Sequence, residues 1–126
     1  MRKSLIVVLL ISALIEIYLS LGVLFKPESM MQSFGITSIN GEILYMAAIV
    51  GWFCLLATAL AVVSAWWVYH SRREGLVIAF VLGLFWLGIG FHLGFSFARP
   101  QHFVLDAAKG LLISVLAFVQ LRKQNR

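Results

Sequence analysis

The chain has 126 residues, of which 62% are hydrophobic and 12% are charged, and its formal net charge is +5. A soluble domain of this length has too little interior to hide so much apolar surface, so the composition indicates a membrane protein. The basic residues stand in small groups between apolar runs, which suits anionic lipid head groups and excludes nucleic-acid binding.

The apolar runs predict one all-α domain over residues 1–126, an integral membrane four-helix bundle. A helix needs about 20 residues to cross about 30 Å of hydrocarbon. Four runs suit such helices, at residues 5–25, 42–69, 76–98 and 103–121. Residues 70–75 read as a tight charged turn between the second and third spans.

The first run could also be read as a signal peptide, because Arg2 and Lys3 precede it. Glu16 interrupts its apolar core, and the sequence offers only a weak cleavage site. We therefore expect a retained first helix.

Residues 26–41 form the longest polar break between the spans. Pro27 suits the first position of a helix and Gly35 suits the residue that ends one. Three apolar side chains between them share one helical face, namely Met30, Met31 and Phe34. This pattern predicts a short helix at the membrane surface, with an irregular loop as the alternative.

The positive residues predict the topology. Lys26 and Arg99 fall on one side of the predicted spans. The larger basic group falls on the other side and comprises Arg2, Lys3, Arg72, Arg73, Arg122, Lys123 and Arg126. The positive-inside bias predicts a bacterial cytoplasmic (inner) membrane protein with both termini in the cytoplasm.

Four ionisable side chains stand inside the predicted spans, where charges are expensive and usually face a bundle interior or a wet cavity. They are Glu16, His92, Asp106 and Lys109. Glu16 is near the middle of its span, and the other three lie somewhat towards the outer side. The four predict an outward-facing polar pocket for a proton, an ion or a small polar ligand. The mouth of this pocket would be formed by Glu42, Arg99 and His102.

A purely structural role is the alternative for the same residues. Lys109 can pair with Asp106 along one helix or with Glu16, and such buried ion pairs fix helix register. His92 alone is more often a hydrogen-bonded core histidine than a metal ligand. Cys54 is the only cysteine, so it forms neither an intrachain disulfide nor a cysteine-based metal site. We expect no metal site and no cofactor.

Glycines on the third span predict close helix packing. Gly90 and Gly94 make a GxxxG pattern, and Gly83 stands two turns before Gly90. Such faces let two helices approach closely, either inside the bundle or between copies of the chain.

The order of a first span, a Pro27-to-Gly35 surface segment and three further spans resembles the DoxX-like group of small bacterial membrane proteins. This layout covers the whole chain and implies a four-helix membrane fold. Some members of the group are linked to thiol or quinone redox chemistry. Glu16 alone is similar to the proton-exchanging glutamate in the first helix of the small multidrug resistance transporters.

The sequence leaves three functions open. The favoured one is a non-enzymatic accessory or ligand-binding module that acts through the outward pocket. The others are a proton-coupled small-molecule transporter that uses Glu16 and a quinone- or lipid-linked redox subunit. The expected partners are the lipid bilayer and a small polar ligand, while a homo-oligomer or a larger membrane complex stays open.

Overall fold

The computed structural model describes residues 2–33, 35–96 and 103–124, and for residues 103–105 it describes the backbone alone. These ranges contain five α-helices and one π-helical segment and no strand. In chain order they are α1 (Arg2–Phe25), α2 (Pro27–Ser33), α3 (Gly41–Tyr69), α4 (Arg73–Ser96), the π-helical segment (Phe103–Ala108) and α5 (Lys109–Gln124). The predicted all-α class is confirmed.

Three helices are long and apolar enough to cross a membrane, namely α1, α3 and α4. They have 24, 29 and 24 residues, which corresponds to about 36 to 44 Å at 1.5 Å per residue. Much of their apolar surface faces outward, as expected of helices whose solvent is lipid. The predicted fourth span is divided between the six-residue π-helical segment and the 16-residue α5.

Helix α2 has the ends that the sequence predicts. It begins at Pro27, whose missing N–H costs nothing at a first helical position. Gly35 adopts a φ of 85° just after its last turn. The Gly35 N–H donates to the Gln32 carbonyl (3.0 Å) and the Ile36 N–H donates to the Met31 carbonyl (3.1 Å). This pair of bonds is the Schellman arrangement that satisfies helix-ending carbonyls. Phe34 lies outside the described residues.

The connection between α3 and α4 is shorter than the predicted turn at residues 70–75. The Ser71 and Arg72 N–H groups donate to the Val68 and Trp67 carbonyls, with Ser71 at a φ of 60°. The chain therefore reverses within His70, Ser71 and Arg72, and α4 begins at Arg73. The prediction placed this helix start too late, because Gly75 reads as a turn residue.

Gly75 is instead a helical residue packed against the end of α3. An added Cβ there would lie 2.8 Å from the Val68 nitrogen and 2.9 Å from the Ser64 carbonyl oxygen. The Ser64 hydroxyl donates to the Gly75 carbonyl (2.7 Å) in a buried hydrogen bond. The absence of a side chain thus serves helix contact and not a turn.

The chain divides into two compact units, one of residues 1–12 and 60–126 and the other of residues 13–59. In the first unit, α4 runs antiparallel to the π-helical segment and α5, with the two backbones in direct contact. An added Cβ at Gly83 would lie 2.6 Å from the Ser114 nitrogen, and one at Gly90 would lie 2.7 Å from Ala107 Cα. From the other side, an added Cβ at Gly110 would lie 2.5 Å from the Gly83 oxygen. We name this contact the glycine seam.

The second unit has a small apolar core where α1, α2 and α3 contribute one buried residue each. These residues are Val23, Met31 and Ala47. An added Cβ at Gly51 would lie 3.0 Å from Leu24, so α1 and α3 approach closely here as well. Asn40 caps α3, since its side-chain oxygen accepts a hydrogen bond from the Ile43 N–H (3.0 Å).

The glycine seam predicts a large difference between two glycines on α4. Gly90→Val should lower the free energy of unfolding by about 1–3 kcal/mol or more, because the new side chain meets the Ala107 backbone, which cannot move aside cheaply. Gly88→Val is the matched control, because an added Cβ at Gly88 has no neighbour within 4 Å among the described residues. It should change the same quantity by no more than about 0.5 kcal/mol. Reversible denaturation in detergent micelles measures both, and equal losses would contradict the seam.

Candidate functional site

The predicted site residues fall in different surroundings. Glu16 belongs to the second unit and is 2% exposed, whereas Asp106 and Lys109 belong to the first unit and are half-buried. His92, also in the first unit, is exposed. At the predicted mouth, Glu42 is exposed in the first turn of α3. Arg99 and His102 lie outside the described residues.

His92 lies on the face of α4 that turns away from the glycine seam. It is two residues after Gly90, which is about 200° around an α-helix. Its helical neighbours Gly88 and Ser96 are exposed too, while Gly90 and Gly94 are buried. The described residues therefore bring Lys109 to the seam beside Trp86 and place His92 on another side of α4 from Gly90.

Trp86 and Lys109 form the main polar contact beside the seam. Trp86 lies on the same buried face as Gly83 and Gly90 and is 5% exposed. The Lys109 ammonium nitrogen lies 4.0 Å from the centre of its ring system, within the range of a cation–π interaction. Away from water such a contact is worth about 2 kcal/mol, so it offsets part of the cost of the charge.

The indole N–H of Trp86 has no acceptor in the part of the chain that the structure describes. A buried donor without an acceptor costs about 1–3 kcal/mol, and most buried donors in proteins are satisfied. This orphaned N–H beside a cation is a place where a hydrogen-bond acceptor from a ligand or a water molecule would bind favourably.

The π-helical segment ends directly at this contact. Asp106 and Ala107 lie within it and Lys109 is the first residue of α5. Short π-helical stretches are rare and are frequently found at functional sites. The segment contains neither glycine nor proline, and no residue type within it signals a π-helix. It ends where Lys109 begins α5 and contacts Trp86.

Glu16 has a separate setting in the second unit. Ala13 and Ser20, three residues before it and four after it, are also buried and form a small flank on α1. The Ser20 hydroxyl donates back to the Ile17 carbonyl (3.1 Å), a common way for serine to satisfy itself within a membrane helix. A carboxyl group buried on a membrane-capable helix is a candidate functional residue.

Metal binding finds no support in the described ranges, where no group of three or more His, Cys, Asp or Glu side chains converges. Cys54 is half-buried and forms no disulfide there. In the first unit the polar groups near the seam include the Lys109 ammonium group and the Trp86 indole N–H.

Together these features define the coarse class of protein, an all-helical chain with three helices capable of spanning a membrane. No protein-family model matches the chain, and neither a curated protein nor a solved structure does. The functional argument therefore depends on the side chains themselves.

Sequence reasoning missed Trp86 as a member of this site. It was one of many aromatic residues on the third span, which are expected to meet lipid or neighbouring helices. A signal was present in its spacing, because Trp86 is three residues after Gly83 and four before Gly90 and so shares their helical face. A tryptophan on the same helix face as closely packed glycines is expected to be buried, together with its indole N–H.

The orphaned N–H gives a test by substitution at Trp86. Trp86→Phe removes the unsatisfied donor and keeps an aromatic ring for Lys109, so it should cost no more than about 1 kcal/mol of the free energy of unfolding. Trp86→Ala removes the ring as well and should cost about 3–5 kcal/mol. Denaturation in detergent compares the two. A loss of more than about 1 kcal/mol in Trp86→Phe would indicate that the N–H donates to an acceptor and that the site is already satisfied.

Proposed function

We propose that the chain is a four-span protein of the bacterial cytoplasmic membrane that acts as a non-enzymatic ligand-binding module, with the DoxX-like layout noted above. The fourth span would consist of the π-helical segment and α5. Together they form 22 consecutive helical residues, or about 30 Å, which matches the hydrocarbon thickness. The glycine seam supports this, because α5 lies antiparallel along α4, itself a membrane-capable helix.

The contacts within the first unit support the proposed topology. The Arg2 guanidinium donates to the Ser71 hydroxyl (2.5 Å), so the start of α1 lies beside the turn between α3 and α4. The rings of Phe80 and Phe118 are 6.0 Å apart, and Arg122 lies over Phe118. The basic residues at the start of α1, in the turn between α3 and α4 and at the end of α5 therefore share one end of the first unit. The positive-inside rule assigns that end to the cytoplasm.

The orphaned Trp86 N–H carries the ligand-binding proposal. This N–H favours a small molecule with a carbonyl or carboxylate oxygen, and the positive charge of the neighbouring Lys109 favours the carboxylate. A module of this kind needs no nucleophile or metal, because recognition by a few placed polar groups in an apolar pocket is sufficient.

Native mass spectrometry of the protein, gently extracted from its own membrane, tests this proposal. The wild-type protein should carry an added small-molecule mass, and Trp86→Phe and Lys109→Ala should each lose most of it. Lys123→Ala is the matched control, since Lys123 is an exposed lysine in the last turn of the same helix and should keep the mass. Denaturation of each variant shows whether it is folded.

The outcomes separate binding from folding. Trp86→Phe is expected to fold, so loss of the mass in this variant supports the site even where Lys109→Ala is unstable. A wild-type protein that carries no added mass, or a mass that persists in both variants, would contradict the proposal. The charges would then serve to fix the helices.

A second candidate function, proton-coupled transport of a small cation, is favoured by the burial of Glu16. A carboxyl group with 2% exposure on a membrane-capable helix can alternate between binding a proton and binding an organic cation. This function requires the carboxyl group itself, and a residue of the same shape would not replace it.

Proteoliposomes with a pH-sensitive dye inside test the second candidate. Adding tetraalkylammonium ions outside should move protons in the wild-type protein and not in Glu16→Gln, which keeps the side-chain volume but cannot titrate. Glu28→Gln is the control, because Glu28 is exposed on α2, and it should behave like the wild type. A proton signal that persists in Glu16→Gln would eliminate this candidate.

A further inference from the structure

A groove with a volume of about 500 Å³ lies between the last turns of α1 and helix α2, within the second unit. Its walls include Tyr18, Leu21, Phe25, Lys26, Ser29 and Ser33. Tyr18, Leu21 and Phe25 follow one another at helical spacing on α1, and Ser29 and Ser33 do so on α2. The volume falls within the roughly 300–1,000 Å³ of typical small-molecule pockets.

The floor of the groove is fixed by a contact between the two helices. The Met30 methyl group packs directly against Gly22, where an added Cβ would overlap it. The Ser33 hydroxyl donates to the Met30 carbonyl (2.7 Å) and lies 3.6 Å from the Met30 sulfur. Because Met31 is part of the core and Gly35 ends the helix, α2 holds a defined position above α1.

Polar and apolar side chains line different parts of the groove. Lys26 is the charged residue among its lining side chains and stands between the last residue of α1 and the first of α2. The serine hydroxyls lie on the α2 side, whereas Tyr18, Leu21 and Phe25 form an apolar wall along α1. Glu28 is exposed on α2 but does not line the groove.

This separation of polar and apolar side chains matches a molecule that has a charged head group and an apolar chain. Lys26 directly follows the apolar run of α1, at the level where a membrane-spanning helix meets the head groups. The three apolar residues lie one to two turns deeper, at the level of the acyl chains. We propose that the groove binds one anionic phospholipid, with its phosphate at Lys26 and the Ser29 hydroxyl and an acyl chain along Tyr18, Leu21 and Phe25.

The test measures which lipid the protein prefers. Native mass spectrometry follows the first lipid bound from phosphatidylglycerol or phosphatidylcholine carrying the same palmitoyl and oleoyl chains. One lysine near the surface contributes enough to favour the anionic lipid by about fivefold. This preference should fall to nearly equal binding in Lys26→Ala and be retained in Lys26→Arg.

Two further variants separate this site from general attraction to lipid. Lys3→Ala removes an exposed lysine at the other end of α1 and should leave the preference unchanged. Phe25→Ala should weaken binding of both lipids while keeping their ratio, because it removes apolar wall and no charge. Thermal unfolding should be similar for all variants, since Lys3, Phe25 and Lys26 are exposed.

Several results would overturn the proposal. One is a preference for phosphatidylglycerol that survives in Lys26→Ala, and another is a preference that Lys3→Ala lowers as much. A lipid-free dimer that dissociates in Phe25→Ala would place a second copy of the chain in the groove instead.

Discussion

The backbone contact between α4 and the final helix is the constraint on which the rest of the first unit depends. Gly83, Gly90 and Gly110 let two helices meet with no side chain between them. Within lipid no hydrophobic force draws helices together, so this close van der Waals packing must do so. The seam also sets the register of α5, and register places the Lys109 ammonium over the Trp86 ring. A change of one residue in register would turn Lys109 by about 100° away from this face.

Placing the Lys109 ammonium group and the Trp86 indole N–H away from water costs free energy. This cost is why their contact bears on function. Stability alone would favour phenylalanine in place of Trp86 and an apolar residue in place of Lys109, because each polar group costs free energy away from water. The cation–π contact offsets part of the ammonium cost but leaves the indole N–H without an acceptor among the described residues. A buried donor without an acceptor among the described residues does not stabilise the fold, whereas beside a cation it can bind an acceptor group of a ligand.

Local chemistry could be predicted from the sequence, and long-range packing could be predicted only in part. Pro27 and Gly35 mark the ends of α2 because proline and glycine act within a few residues. The buried residues of α5 are Gly110, Ile113, Ser114 and Ala117, and their spacing is that of one helical face. By contrast, the start of α4 was misplaced because Gly75 serves a contact with α3, and no residue type signals the π-helical segment. Helical spacing places His92 on another side of α4 from Gly90, and the grouping of His92 with Lys109 in one pocket stays a prediction.

The composition of residues 103–124 makes their packing on α4 important. Asp106 and Lys109 stand near the start of these residues, and each would oppose insertion of an isolated helix into a membrane by roughly 2.5–3.5 kcal/mol at full depth. Residues 103–124 therefore gain much of their stability from α4, whose glycine face receives them. Since the seam and the Lys109–Trp86 contact occupy the same surface, a ligand bound at this contact as proposed would stabilise the packing of α5 on α4. Binding of such a ligand and packing of α5 would then be thermodynamically coupled.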